Sequence, residues 1–312
     1  MNTRSKKFLL VLRIIGIIFG ISLLIYQIFS LLRDFNWSIL TPSVLLNALL
    51  AFGINILAIL LHMTAWKVVL DGMGHKISIT DIFSGFSISF VARYIPGTVW
   101  GYLSRGEWLK REQNVPYSIS HFCSIVETIG FMSANLFVMI QGLVLARNIP
   151  FTILFIVVFV VGSWASLNLF ILWKPARRLF RLENNIYQFP FPKWLVVFLL
   201  FCVMWYCYGI SLTIFANSIH LQLSSEHILL ISSIYALSWF IGFIIPFIPS
   251  GLGLREYTLT ILLAAQFGLE KSDASFIAIG FRVLVSLAEL FWILFGLSNK
   301  AVLGINKLQI KK

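Results

Sequence analysis

Long apolar stretches separated by short polar segments dominate the chain: Phe8 to Leu32, Ser43 to Trp66, Ser118 to Ala146, Phe151 to Trp173, Trp194 to Ile219, His227 to Phe247 and Ala274 to Leu297. Each is long enough for a helix to cross about 30 Å of hydrocarbon, which takes about 20 residues. Two motifs interrupt this pattern. Ile95-Pro96-Gly97-Thr98-Val99-Trp100-Gly101 leads to Arg105, and Ile248-Pro249-Ser250-Gly251-Leu252-Gly253-Leu254-Arg255-Glu256 repeats the same idea later. Proline lacks a backbone donor and glycine weakens a helix, so each break frees backbone groups that lipid cannot satisfy. Polar partners are expected beside both. The pattern predicts an all-α polytopic membrane protein, and paired breaks in two halves point to a transporter's binding site.

Composition strengthens this. Of 312 residues, 59% are hydrophobic and 12% charged, too apolar for an ordinary soluble core. The first stretch follows Arg4, Lys6 and Lys7 but is longer than a cleaved signal core and lacks a small-residue cleavage site, so a retained anchor is expected. Cys123, Cys202 and Cys207 all fall within apolar stretches, which speaks against a disulfide framework. The net charge of +12 would suggest nucleic acid in a soluble domain. Here the cations collect in loops, where they set orientation, and no nucleic-acid partner is expected.

Charge parity then gives a topology. Lys174 to Lys193, the N-terminus and the C-terminal lysines are all assigned to the cytoplasm of a multi-pass protein in the inner or plasma membrane. This holds only if residues 77–111 enter and leave on the cytoplasmic side as a re-entrant hairpin broken at Pro96 and Gly97. The second half runs inverted, with a hairpin broken at Pro249, Gly251 and Gly253 entering from outside. A full span plus a short crossing would be the alternative for either hairpin. The expected organisation is one membrane domain, 1–312, with an N-terminal span at 8–32, a first repeat at 43–146, a connecting span at 151–173, a second repeat at 194–297 and a basic cytoplasmic tail at 298–312.

Several charges sit at depths where each costs roughly 2.5–3.5 kcal/mol on insertion scales. Ser120, Ser124, Glu127, Thr128 and Asn135 form one helical stripe, and Ser275, Arg282, Ser286 and Glu289 form another. A helix starting after Gly253 would offer amide donors and its positive end to an anion, with Arg255 and Glu256 in its first turn. Thr98 would cap the matching start in the first half, with Arg105 two turns further, nearer the cytoplasmic mouth. The candidate substrate-binding set is Arg105, Glu127, Arg255, Glu256, Arg282 and Glu289. Structural ion pairs and snorkelling side chains are the plainer alternative. His62, which shares a face with Asn47 and Asn55, is expected to be a packed, hydrogen-bonded histidine rather than a ligand. No metal-ligand spacing, ATP-binding loop or nucleophile elbow occurs, so no metal, no cofactor and no catalytic set is expected.

Trp66-Lys67-Val68-Val69-Leu70, Ala92-Arg93-Tyr94-Ile95-Pro96-Gly97 with Arg105, Glu127, the Pro249 to Glu256 motif and Gly280-Phe281-Arg282 together resemble the lysylphosphatidylglycerol synthase transmembrane region, or flippase-like domain, family. The resemblance covers nearly the whole chain. It implies two re-entrant segments from opposite sides, and movement of aminoacylated phospholipid, or of polyprenyl-linked sugars, between leaflets. Larger members carry a cytosolic aminoacyl-transferase domain after this region, whereas this sequence stops at Lys312, so aminoacyl transfer is not expected here. The usual Pro-Gly-Gly-like run is Pro249-Ser250-Gly251.

The leading expectation is a flippase or scramblase for a phospholipid or lipid-linked sugar headgroup. The alternatives are a membrane component of a lipid-modifying enzyme such as phosphatidylglycerol lysyltransferase, working with a separate cytosolic transferase, and a non-transporting assembly subunit. Gly-rich helix faces leave a homodimer open.

Overall fold

The computed structural model describes residues 18, 21–29, 31–33, 41–93, 100–142, 149–179, 188–219, 221, 223–245 and 248–309. The expected break at Pro96 and Gly97, with Thr98, lies outside them. The helices are α1 (Ile21–Arg33), α2 (Pro42–Gly72), α3 (Ile79–Arg93), α4 (Trp100–Gln113), α5 (Tyr117–Ile140), α6 (Ile149–Leu172), α7 (Lys174–Leu179), α8 (Phe191–Ala216), α9 (Ile228–Ile244), α10 (Leu254–Phe267) and α11 (Lys271–Gln309). No strand occurs among the described residues. The protein is an all-α polytopic membrane protein. Six helical segments are long and apolar enough to cross a bilayer, and they coincide with six of the expected spans. Phe8 to Leu32 is described only in part.

Local chemistry accounts for several helix ends. Proline opens α2 and α8 within the first turn, where a missing N–H leaves no intrahelical bond unmade. Gly268 closes α10 in the left-handed conformation, at φ 64°. At the far end of the chain, α11 continues to Gln309, so helix replaces the start of the expected tail.

The longest shared interface joins α2 to α8. Ala51, Ala58 and Ala65 recur every seven residues on α2 and are fully buried, and Ser211 of α8 donates to the Ala51 carbonyl at 2.8 Å. Small residues permit such close approach, which drives helix association where lipid is as apolar as the side chains. Around this pair the same helices are in contact when α2, α3, α4, α5 are exchanged for α8, α9, α10, α11, although the extents of matched contacts differ. Thus α11 packs on α2 and α3 as α5 packs on α8 and α9. The outward faces carry Leu45, Leu49, Val158, Leu169, Leu199 and Leu294, each at least half exposed, as a lipid-facing belt requires.

Ahead of the two breaks, α3 has 15 described residues and Ser225–Ile244 has 20. At the second break, α9 ends at Ile244 and α10 starts at Leu254. Between them Ser250, Gly251 and Gly253 take φ of 51°, 66° and 78°, conformations that glycine adopts without a Cβ penalty. The freed backbone groups have partners. The Gly253 N–H donates to Glu256 Oε2 at 2.6 Å, and its carbonyl accepts from Gln27 Nε2 of α1 at 3.1 Å. A lone glutamine in the first apolar stretch therefore serves a break 226 residues away.

Candidate functional site

Both halves contribute to one cavity of about 130 Å³. Arg105 of α4 and Glu127 of α5 face it from the first half, and Arg255 of α10 with Arg282 and Glu289 of α11 from the second. Five of the six candidate substrate-binding residues thus meet in one place. The central helices add His62 from α2 and Trp205 and Tyr208 from α8, while Ser250 brings the second break to the wall.

Arg105 and Glu127 are each 2% exposed, and Nη1 of the arginine lies 2.8 Å from Glu127 Oε2 and 3.0 Å from Oε1. The guanidinium is enclosed by Phe86 at 4.7 Å, Tyr102 at 5.0 Å and Trp66 at 5.1 Å, measured to ring centroids. Aromatic faces stabilise a desolvated cation through their quadrupoles. His62 reaches the same carboxylate, with Nε2 2.8 Å from Glu127 Oε1, and its ring packs against Phe86, Phe131 and Phe201. As expected, it is packed and hydrogen-bonded, and it also borders the cavity. Thr128, one position along the α5 stripe, donates to the Ser124 carbonyl and lies 3.1 Å from the Tyr102 hydroxyl. Asn135 instead joins α5 to α9 through the Ala236 carbonyl.

Glu256 does not border this cavity. It is 2% exposed, lies on a second space of about 20 Å³ behind Arg255 and Arg282, and directs one carboxylate oxygen to Gly253 N–H and the other to Arg282 Nε at 3.4 Å. The sequence pattern left the amides at the start of α10 for an incoming anion. Here the chain's own carboxylate caps that end, because Glu256 sits at the third helical position, where it can fold back.

The two halves consequently use the same device with opposite polarity. Arg105 on α4 pairs with Glu127 on α5, and Glu256 on α10 pairs with Arg282 on α11.

Arg255 is different. Its guanidinium lies 4.4 Å above the Trp239 ring centroid, its Nε is buried without a hydrogen-bond partner, and it forms no ion pair with a carboxylate among the described residues. Its side chain passes close to backbone. A Cβ on Gly242 would fall 2.4 Å from Arg255 Cγ, and one on Gly251 2.7 Å from Nε. Both glycines make room for this arginine. Trp239, Tyr102 and Gln27 escaped the sequence reading. Gln27 was detectable as a polar residue within an apolar stretch, whereas Trp239 looks like any lipid-facing aromatic until α9 packs.

The arrangement can hold an anionic group against Arg255 with carboxylates nearby. No cluster of three or more metal-ligating side chains occurs among the described residues. Residues 9–291 match the family model described as the lysylphosphatidylglycerol synthase TM region. The chain belongs to that family. Searches of curated proteins and of solved structures found no match. Within the lysylphosphatidylglycerol synthase TM region, then, this chain places Ser250 and Arg255 of its second break motif on a cavity shared by two halves, with Glu256 on the smaller space behind Arg255.

Proposed function

We propose that the cavity admits the phosphate-bearing headgroup of a membrane phospholipid, aminoacylated or not, or of a polyprenyl-linked lipid, and passes it between leaflets while the acyl chains stay in the bilayer. The observation that carries this is Arg255, a cavity cation with no carboxylate partner among the described residues, set on an aromatic face. Partly desolvating a cation that forms no ion pair is costly, and a phosphate would supply that pair. The headgroup then avoids the desolvation penalty of hydrocarbon. Arg105, Arg282, Glu127, Glu256 and Glu289 hold the surrounding charge balance, the glutamates offering acceptors to a cationic substituent.

Inversion of the halves is part of the proposal. The exchange-symmetric packing and the oppositely poled ion pairs support two related units, and charge parity supports opposite orientation. Cysteines introduced near Lys110 and near Lys271 should react with impermeant reagents from opposite sides. Labelling of both from one side would remove the inversion.

The test of function is dithionite-monitored exchange in proteoliposomes carrying labelled phosphatidylglycerol, aminoacylated phosphatidylglycerol or polyprenyl phosphate. Exchange of one of them above protein-free vesicles, lost in Arg255→Met, is the expected result. Absence of exchange for all three would refute it. The family's description names a synthase, which favours one second reading: presentation of lipid to a separate cytosolic transferase. That reading requires a covalent lipid product, visible by mass spectrometry of cells with and without the gene.

A further inference from the structure

We infer that His62 and Glu127 form a proton site coupled to anion entry, so that one proton is bound for each phosphate admitted; this rests on the proposed lipid transport. Glu127 Oε1 is shared, lying 3.0 Å from Arg105 Nη1 and 2.8 Å from His62 Nε2. With His62 neutral, Arg105 and Glu127 balance each other and the first half offers no net charge to a phosphate. With His62 protonated, two cations face one carboxylate. The cluster carries one excess positive charge in a largely buried, aromatic-walled setting, which an entering monoanion neutralises. Arg105 is then released from sole duty to Glu127 and can turn to the phosphate beside Arg255.

The setting of His62 fits this use. Its neighbours from α3 and α8 are the uncharged rings of Phe86 and Phe201, and α5 adds Phe131 as well as Glu127. From α4 the cavity receives Arg105 and Tyr102. Its far wall carries the remaining titratable groups, Tyr208, Tyr235, Arg255, Arg282 and Glu289. Of all these, histidine is the side chain whose ordinary titration falls between pH 5 and 8. Its direct contact with the carboxylate makes its proton part of the cavity's charge balance. Among the described residues no histidine pairs with the matching carboxylate of the second half: Glu256 there pairs with Arg282 and a backbone amide.

The probe is whichever of the three labelled lipids above moves fastest, in sealed proteoliposomes of the full chain buffered equally on both sides at pH 6, 7 and 8. Exchange by the native protein should rise by about tenfold from pH 8 to pH 6, bounded by the tenfold per pH unit of a one-proton step. His62→Gln should give a flat profile at whatever rate it runs, and His62→Asn serves the same comparison if the glutamine variant does not fold. In weakly buffered vesicles given the anionic lipid in the outer leaflet alone, net inward lipid movement should carry protons that an internal pH dye records, in the native protein alone. A flat native profile, or an unaltered slope in the folded variant, overturns the coupling while leaving lipid exchange standing. Absence of exchange at every pH would overturn the transport reading and this inference with it.

Discussion

Replacing Arg255 with methionine separates the contribution of its charge from that of its packing. The methionine stem keeps most of the contact with Trp239 and the passage between Gly242 and Gly251, and it removes a guanidinium that has no carboxylate partner among the described residues. Loss of the cation–aromatic contact removes up to about 2 kcal/mol. Arg255 is only partly buried, so relief of its desolvation falls within the about 1–4 kcal/mol that exchanging buried ionic groups for apolar ones of similar volume gives. The balance favours the variant by at most about 2 kcal/mol, or a rise in melting temperature of about 3 °C for a chain of this size. Thermal unfolding in detergent without added lipid reads this directly. The same variant should lose lipid exchange and the thermal stabilisation that added anionic lipid gives the native protein. A variant less stable than the native protein, yet still exchanging lipid, would show that Arg255 is a structural cation and that the cavity is not built around it.

Three further outcomes follow from the same geometry. Glu127→Ala leaves the Arg105 guanidinium at 2% exposure without its carboxylate and should destabilise by about 3–5 kcal/mol, measured by denaturant titration, in contrast to Arg255→Met. Gly251→Ala forces a side chain onto φ 66° and within 2.7 Å of Arg255 Nε, so it should cost about 1–3 kcal/mol and slow exchange, whereas Gly53→Ala, with open space at its Cβ, should do neither. Gln27→Leu removes one of two donors to the Gly253 carbonyl, which keeps the Tyr257 N–H at 2.9 Å, and should lower stability by about 0.5–1.5 kcal/mol, with hydrogen exchange speeding up around the start of α10.

Much of this protein follows from the order of its residues. A bilayer leaves the backbone no solvent partner, so apolar stretches of sufficient length had to become helices, and α2, α5, α6, α8, α9 and α11 appear where hydropathy predicts them. The second break was equally legible, because proline and closely spaced glycines at Pro249, Gly251 and Gly253 cannot continue an unbroken helix. The glutamates and arginines at membrane depth marked themselves as buried in protein, since lipid excludes them. What the chain could not reveal is who pairs with whom. Glu127 neutralises Arg105 and Glu256 neutralises Arg282, while Arg255 stands on Trp239 without a carboxylate; along the sequence the three arginines look alike. Those assignments depend on ångström-scale separations between helices far apart in the chain. Such separations come from the close α2–α8 seam, from the glycines that admit Arg255, and from Gln27 reaching across to the second break. Tertiary packing alone fixes them, because hydropathy and periodicity specify which face of a helix is buried but not which neighbour it meets.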